Sequence, residues 1–187
     1  MVSQPNAALA AALVLQLFAV LSTIDGLYIH LWRLRLHGRP ESYREHLLHT
    51  ARTVLFVPVV VTVFAMPSAG FLLWVGVAFA ALDQAAGIVD ALAERDSRAS
   101  LGGLGRSEYA LHVALVEVHA IALTLGLVAR PSEAWSLSAP STLGEWPAAV
   151  QMLVMGPIVG GIAVAALHVV LAWANRPSFA CCAAKAA

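Results

Sequence analysis

Charge is scarce in this sequence of 187 residues: Asp, Glu, Lys and Arg make up 12% of it, against 60% hydrophobic residues. Soluble domains carry about twice that share of charge. The scarcity excludes a disordered chain, a nucleic-acid-binding tail and an ordinary soluble enzyme fold. Neither sign is in excess, since 11 basic residues balance 11 acidic ones, so bulk charge points to no polyanionic partner and no nucleic acid. Cysteine is nearly absent. The two present, Cys181 and Cys182, are adjacent near the C-terminus, which excludes a disulfide framework and reads as a free pair on a tail. No Lys or Arg precedes Asn6, which argues against a secretory signal. No Gly-x-Ser-x-Gly motif occurs, and the glycine-rich stretch 101–105 lacks the Gly-Lys-Ser/Thr ending of a phosphate loop.

Long apolar runs are what the sequence has. Mean hydropathy is +0.79, and a membrane-crossing helix needs about 20 apolar residues. The pattern predicts an all-α integral membrane fold over residues 1–176, a bundle of five transmembrane helices. The expected spans are 7–36, 43–66, 71–93, 108–129 and 147–175, followed by a tail over 177–187. Pro67 and Gly70 make the turn after the second span. Pro147 suits a first helical turn, and Pro58 and Pro157 fall inside spans, where neighbouring helices can compensate for the lost hydrogen bond.

Ten of the 11 basic residues lie toward one side, with the loops 37–44 and 94–107 and the C-terminus; only Arg130 lies toward the other. Cytoplasmic loops carry the Lys/Arg excess. The expectation is a plasma or bacterial inner membrane protein with the N-terminus outside and the C-terminus in the cytoplasm.

The polar residues inside the spans share that same side. They are His30, His37, His46, His49, His112, His119 and His168, with Asp25, Glu45, Asp83, Asp90, Glu108 and Glu117. Ionisable groups in hydrocarbon cost a few kcal/mol each and persist where they pair, line a wet cavity or bind an ion. Five spans converging on one depth therefore predict a shared polar centre. Residues at i, i+4 and i+7 share a helical face. That groups Glu45, His49 and Arg52; Glu108, His112 and His119; and Asp83 with Asp90. Asp25 points away from His30 unless the helix bends near Gly26, and Glu117 lies off the His112 stripe. Ser22, Asp25 and His30 share no face, which disfavours a hydrolytic triad. Spans two and four also open alike, Glu45-His46-Leu47-Leu48-His49 and Glu108-Tyr109-Ala110-Leu111-His112. The chain reads as two pseudo-repeated hairpins plus a fifth helix.

Four-helix bundles hold dinuclear metals with carboxylates and His projected inward from facing helices, and mixed carboxylate and imidazole donors suit iron or zinc. The expected ligands are His49, His112 and His119, joined by Glu45, Glu108, Asp83 and Asp90. Asp25, His30, His46, Arg52, Glu117 and His168 are expected around them or around a substrate. A site of this kind opening to the cytoplasm suits a lipid-like substrate, its head group near Arg33, Arg35, Arg39 and Arg44, and its reaction oxidation, desaturation or hydrolysis. His46-Leu47-Leu48-His49 resembles a histidine box of the membrane desaturases and hydroxylases, but no paired His-His accompanies it. Three alternatives use the same residues. One is a metal-ion or proton transporter, although the opposite halves of the spans offer few polar groups beyond Thr62, Thr124 and Gln151. Another is a haem b protein with His49 and His112 as axial ligands. The third is a structural subunit whose polar groups bond to one another.

Overall fold

The computed structural model describes residues 4–176; the expected tail, with Cys181 and Cys182, lies outside the described residues. Five helices are long and apolar enough to cross a membrane. Helix α1 (Pro5–Thr23) starts on Pro5, whose missing N–H costs nothing at a first helical position. It continues as a π-helix over Ile24–Arg33. Helix α2 (Tyr43–Val59) likewise passes into a π-helix at Val60–Ala65, just after Pro58. The Thr62 hydroxyl donates to the Pro58 carbonyl at 2.6 Å. Helices α3 (Gly70–Ser97), α4 (Arg106–Val128) and α5 (Ala148–Ala174) follow. Helix α3 runs through Ser97, into what the sequence pattern reads as a loop.

The chain stops and starts where its backbone demands. Met66, before Pro67, is extended, as a residue preceding proline prefers. Gly70 has φ +57, and a Cβ there would sit 2.2 Å from the Ala139 carbonyl oxygen, so the entry to α3 accepts only glycine. The segment between α4 and α5 folds over this end: Ala69 donates to Ser141 at 2.9 Å and Leu143 to Pro67 at 3.0 Å. Arg130 is buried beneath it. It donates to the carbonyls of Gly126, Thr62 and Met66, its face over the Trp146 ring. Burial pulls the pKa of this guanidinium down to about 10. Among the described residues Arg130 is the one basic side chain at this end, and it is spent on closing helix ends.

Helix α1 packs against α4 and α5, and α2 against α3 and α5. The closest partners therefore come from different expected hairpins, 1 with 4 and 2 with 3, and α5 wedges between. Small residues allow these approaches: Ala8, Ala11 and Ala12 lie on the buried face of α1. A Cβ on Gly76 would meet the Thr62 side chain at 2.6 Å. The apolar core is Leu15 and Phe18 with Val59, Val60, Val63, Phe64, Leu123, Val150 and Val154, and it fills the Arg130 end of the bundle. At the opposite end the interior is polar.

Candidate metal centre

Two α3 carboxylates set up that polar end. Asp90 and Glu94 are four residues apart and both buried, so they face one way. Asp90 Oδ2 lies 2.7 Å from His49 Nδ1, and Glu94 Oε2 lies 3.0 Å from His112 Nδ1. With Nδ1 held, each ring turns Nε2 inward. His112 Nε2 meets Asp25 Oδ1 at 3.0 Å, and His49 Nε2 lies 3.9 Å from Asp25 Oδ2. His30 Nε2 comes within 3.5 Å of the same carboxylate, and the His30 ring stacks on His49 with centroids 4.2 Å apart. Three imidazoles from α1, α2 and α4 thus surround one buried aspartate. A ring whose other nitrogen is fixed by a carboxylate is the usual setting of a metal-binding histidine. Among the described residues, two groups have ligand atoms all within 4.8 Å of one another: Asp25, His30 and His112, and His30, Glu45 and His49. They share His30.

The π-helix is what admits Asp25. In regular α geometry Asp25 and His30, five apart, diverge. Hydrogen bonding from i to i+5 widens the turn and brings both to the interior, 5% and 1% exposed. His30 stands where the sequence pattern puts His119.

His119 belongs to a deeper layer. Its Nδ1 lies 3.0 Å from Gln84 Nε2 and 3.4 Å from Asp83 Oδ2, and its ring stacks on Phe18 at 4.2 Å. Arg52 ties the layers together, its Nε 3.7 Å from Asp83 and its Nη1 3.5 Å from Asp90. Its guanidinium lies over Gly87, where even a Cβ would come within 3.3 Å.

The outer layer is organised by Arg98, just past α3 and 1% exposed. Nη1 binds Glu45 at 2.7 Å, and Nη2 and Nε bind Glu108 at 2.7 and 2.9 Å. Ser97 donates to Glu45. Burial opposes the charge on Arg98, but Glu45 and Glu108 hold its pKa above the usual arginine value. Glu45 and Glu108 open the two similar motifs, and they share one cation. His49 and His112 close those motifs, and they share Asp25. The internal repeat in sequence is therefore matched by equivalent roles.

His46 and His168 stack at 5.2 Å, with His37 6.0 Å from His46. They form a separate group between α2 and α5. Glu117 is exposed on α4 and makes no ion pair among the described residues. Sequence reasoning missed Glu94, Ser97 and Arg98. The Asp90-x-x-x-Glu94 spacing was the signal available.

The fold and the site together define an all-helical bundle, its five long helices apolar enough to cross a membrane, with a buried His and carboxylate cluster that could bind metal. No protein-family model matches the sequence, and no curated protein or solved structure matches it either. The functional reading rests on geometry and charge.

Proposed function

We propose that the protein is an integral membrane metalloenzyme that binds iron or zinc, as a one- or two-metal centre, and acts on a lipid-like substrate by oxidation, desaturation or hydrolysis. One observation carries this reading. Six carboxylates are buried at one end of the bundle: Asp25, Glu45, Asp83, Asp90, Glu94 and Glu108. Two guanidinium groups, Arg52 and Arg98, pair with four of them. Six acids against two cations leave four negative charges for protons or metal ions to balance. Uncompensated charge in a low-dielectric interior is strongly unfavourable. With neutral histidines, two divalent cations balance the cluster.

In this reading His49, His112 and His30 supply imidazole donors and Asp25 or Glu45 the carboxylate. Asp90 and Glu94 orient the rings. The bound metal supplies a Lewis acid or redox centre beside the substrate. The Lys/Arg bias puts this end of the bundle at the cytoplasm, within the inner leaflet.

A second reading has one observation in its favour. Arg98 already satisfies Glu45 and Glu108, as in a structural subunit with a self-contained polar core. Metal analysis and an absorption spectrum on detergent-purified protein separate the readings. One or two iron or zinc ions per chain, lost in His49→Ala and in His112→Ala, support the metalloenzyme. A strong Soret band points instead to haem b. Absence of both, with wild-type stability in the two variants, overturns the proposal. Ion flux in liposomes abolished by Asp83→Asn would replace it with a transporter.

A further inference from the structure

Beside the cluster lies a cavity of about 440 Å³, in the size range that encloses a whole small ligand. Its walls are apolar, built from Phe18, Val20, Ile24, Phe56, Leu115 and Val164. Gln16, Thr53 and His168 are among its polar groups outside the cluster, and its charged lining is drawn from the cluster: Asp25, His49, Arg52, Asp83 and His119. Two of these keep a buried nitrogen with no hydrogen-bond partner among the described residues, His119 Nε2 and Arg52 Nε.

Helix α5 makes room for the cavity with glycine. Gly156, Gly160 and Gly161 all line it. Gly161 is close-packed, since a Cβ there would meet Phe56 at 3.0 Å, whereas Gly160 has nothing within 4 Å of that position. Gly156 and Gly160 are also exposed on the outside of the bundle. A residue that both lines a cavity and reaches the outer surface marks an opening. Val20 and Ile24 of the first helix line the cavity and are exposed as well, at 56% and 43%, so this opening lies between the first and fifth helices along their apolar lengths. Along α5 the cavity runs from Gly156 to His168, a length of about 18 Å at the helical rise.

We infer that this cavity takes the hydrocarbon chain of a single-chain amphiphile, such as a fatty acid, alcohol or aldehyde, entering sideways from the bilayer. Its polar terminus lies against the unpartnered nitrogens of His119 and Arg52, and its methyl end points toward Gln16 and Gly156. The volume accommodates one chain and excludes a two-chain phospholipid. That orientation brings the carbons next to the polar terminus, rather than the middle of the chain, to the His49 and Asp25 edge. It also reverses the expectation of a head group out among Arg33, Arg35, Arg39 and Arg44. The chemistry at that terminus rests on the metalloenzyme reading; binding of the chain does not.

Photolabelling with two fatty acids tests the inference, one carrying a diazirine near the methyl end and one near the carboxyl. The first is expected to label α1 around Gln16 and α5 around Gly156. The second is expected to label α2 around Thr53 and α5 around Val164. Excess unlabelled fatty acid suppresses both, and excess phospholipid does not. Gly160→Phe, which fills open space, lowers labelling by about tenfold. Val159→Phe, on the lipid-facing surface at 61% exposure, leaves it unchanged. Labelling that fatty acid fails to suppress, that survives Gly160→Phe, or that shows the reverse end-to-end pattern overturns the inference. Metal content read on the same samples separates the two ideas. Metal without labelling removes the chain site alone, and labelling without metal removes the metalloenzyme alone.

Discussion

Replacing Glu94 by Gln asks what the buried carboxylates are for. Glu94 touches one partner in the cluster, His112 Nδ1 at 3.0 Å, and Asp25 approaches the other nitrogen of the same ring at 3.0 Å. The two carboxylates therefore flank one imidazole, each 3.0 Å from a ring nitrogen, which sets them roughly 8 Å apart across the ring for Coulomb's law. Their repulsion is about 2 kcal/mol at an effective dielectric near 20. Gln keeps the shape and an acceptor but removes the charge. If His112 is neutral and a metal completes the site, two effects of opposite sign follow. The metal-free protein gains stability, by up to that repulsion. Metal affinity falls by about 10- to 100-fold, the usual effect of losing the group that orients a ligating histidine, or about 1.4–2.8 kcal/mol. If His112 is instead a permanent imidazolium held between two carboxylates, removing one of them destabilises the metal-free protein. Thermal unfolding of chelator-treated protein in detergent reads the first effect, and equilibrium dialysis against zinc the second. A lower melting temperature without metal, together with unchanged zinc binding, would refute the charge argument.

Other substitutions test the frame around the site. Arg98→Met leaves Glu45 and Glu108 buried without their shared cation and is expected to cost about 3–5 kcal/mol. Adding Glu45→Gln and Glu108→Gln to it should restore most of that loss in denaturant or thermal unfolding. Gly76→Leu forces a side chain against Thr62, where α2 and α3 touch. It should lower stability by about 1–3 kcal/mol while metal content per folded chain stays unchanged.

The amino-acid pattern exposed much of this architecture because hydrophobic length and helical spacing are local properties. The five long apolar helices, the polar end and the equivalence of His49 and His112 in their matching motifs could all be read that way. Two features could not, and a third was half legible. Asp25 and His30 converge only because α1 changes its hydrogen-bond pattern, and that change is not written in the polarity of Ile24–Arg33. The half-legible one is His119: seven residues amount to about 10 Å along a helix, which sets it with Asp83 in a deeper layer, yet its stripe shared with His112 suggests one centre. A common stripe is not a common centre, and His119 pairs with Asp83 instead. Glu94, Ser97 and Arg98 resembled the start of a loop because their charges end an apolar run. In the folded protein α3 carries its last turn inward through Ser97, and the carboxylates of Glu45 and Glu108 make burial of the next arginine tolerable.

The widened turns of the first helix also make the cluster depend on chain length. A stretch bonded from i to i+5 fits one more residue into the same axial distance than an ordinary helix does. Deleting a single residue between Asp25 and His30 would let the segment relax to α-helix at nearly the same length. The two would then stand four apart in an ordinary helix, still on one face. Relaxation to α-helix at full length does the opposite: it swings every side chain beyond the change by about 100° and carries His30 off Asp25. The widened turn thus absorbs one extra residue without giving up the polar centre, and the centre is lost only when the turn closes and the residue stays.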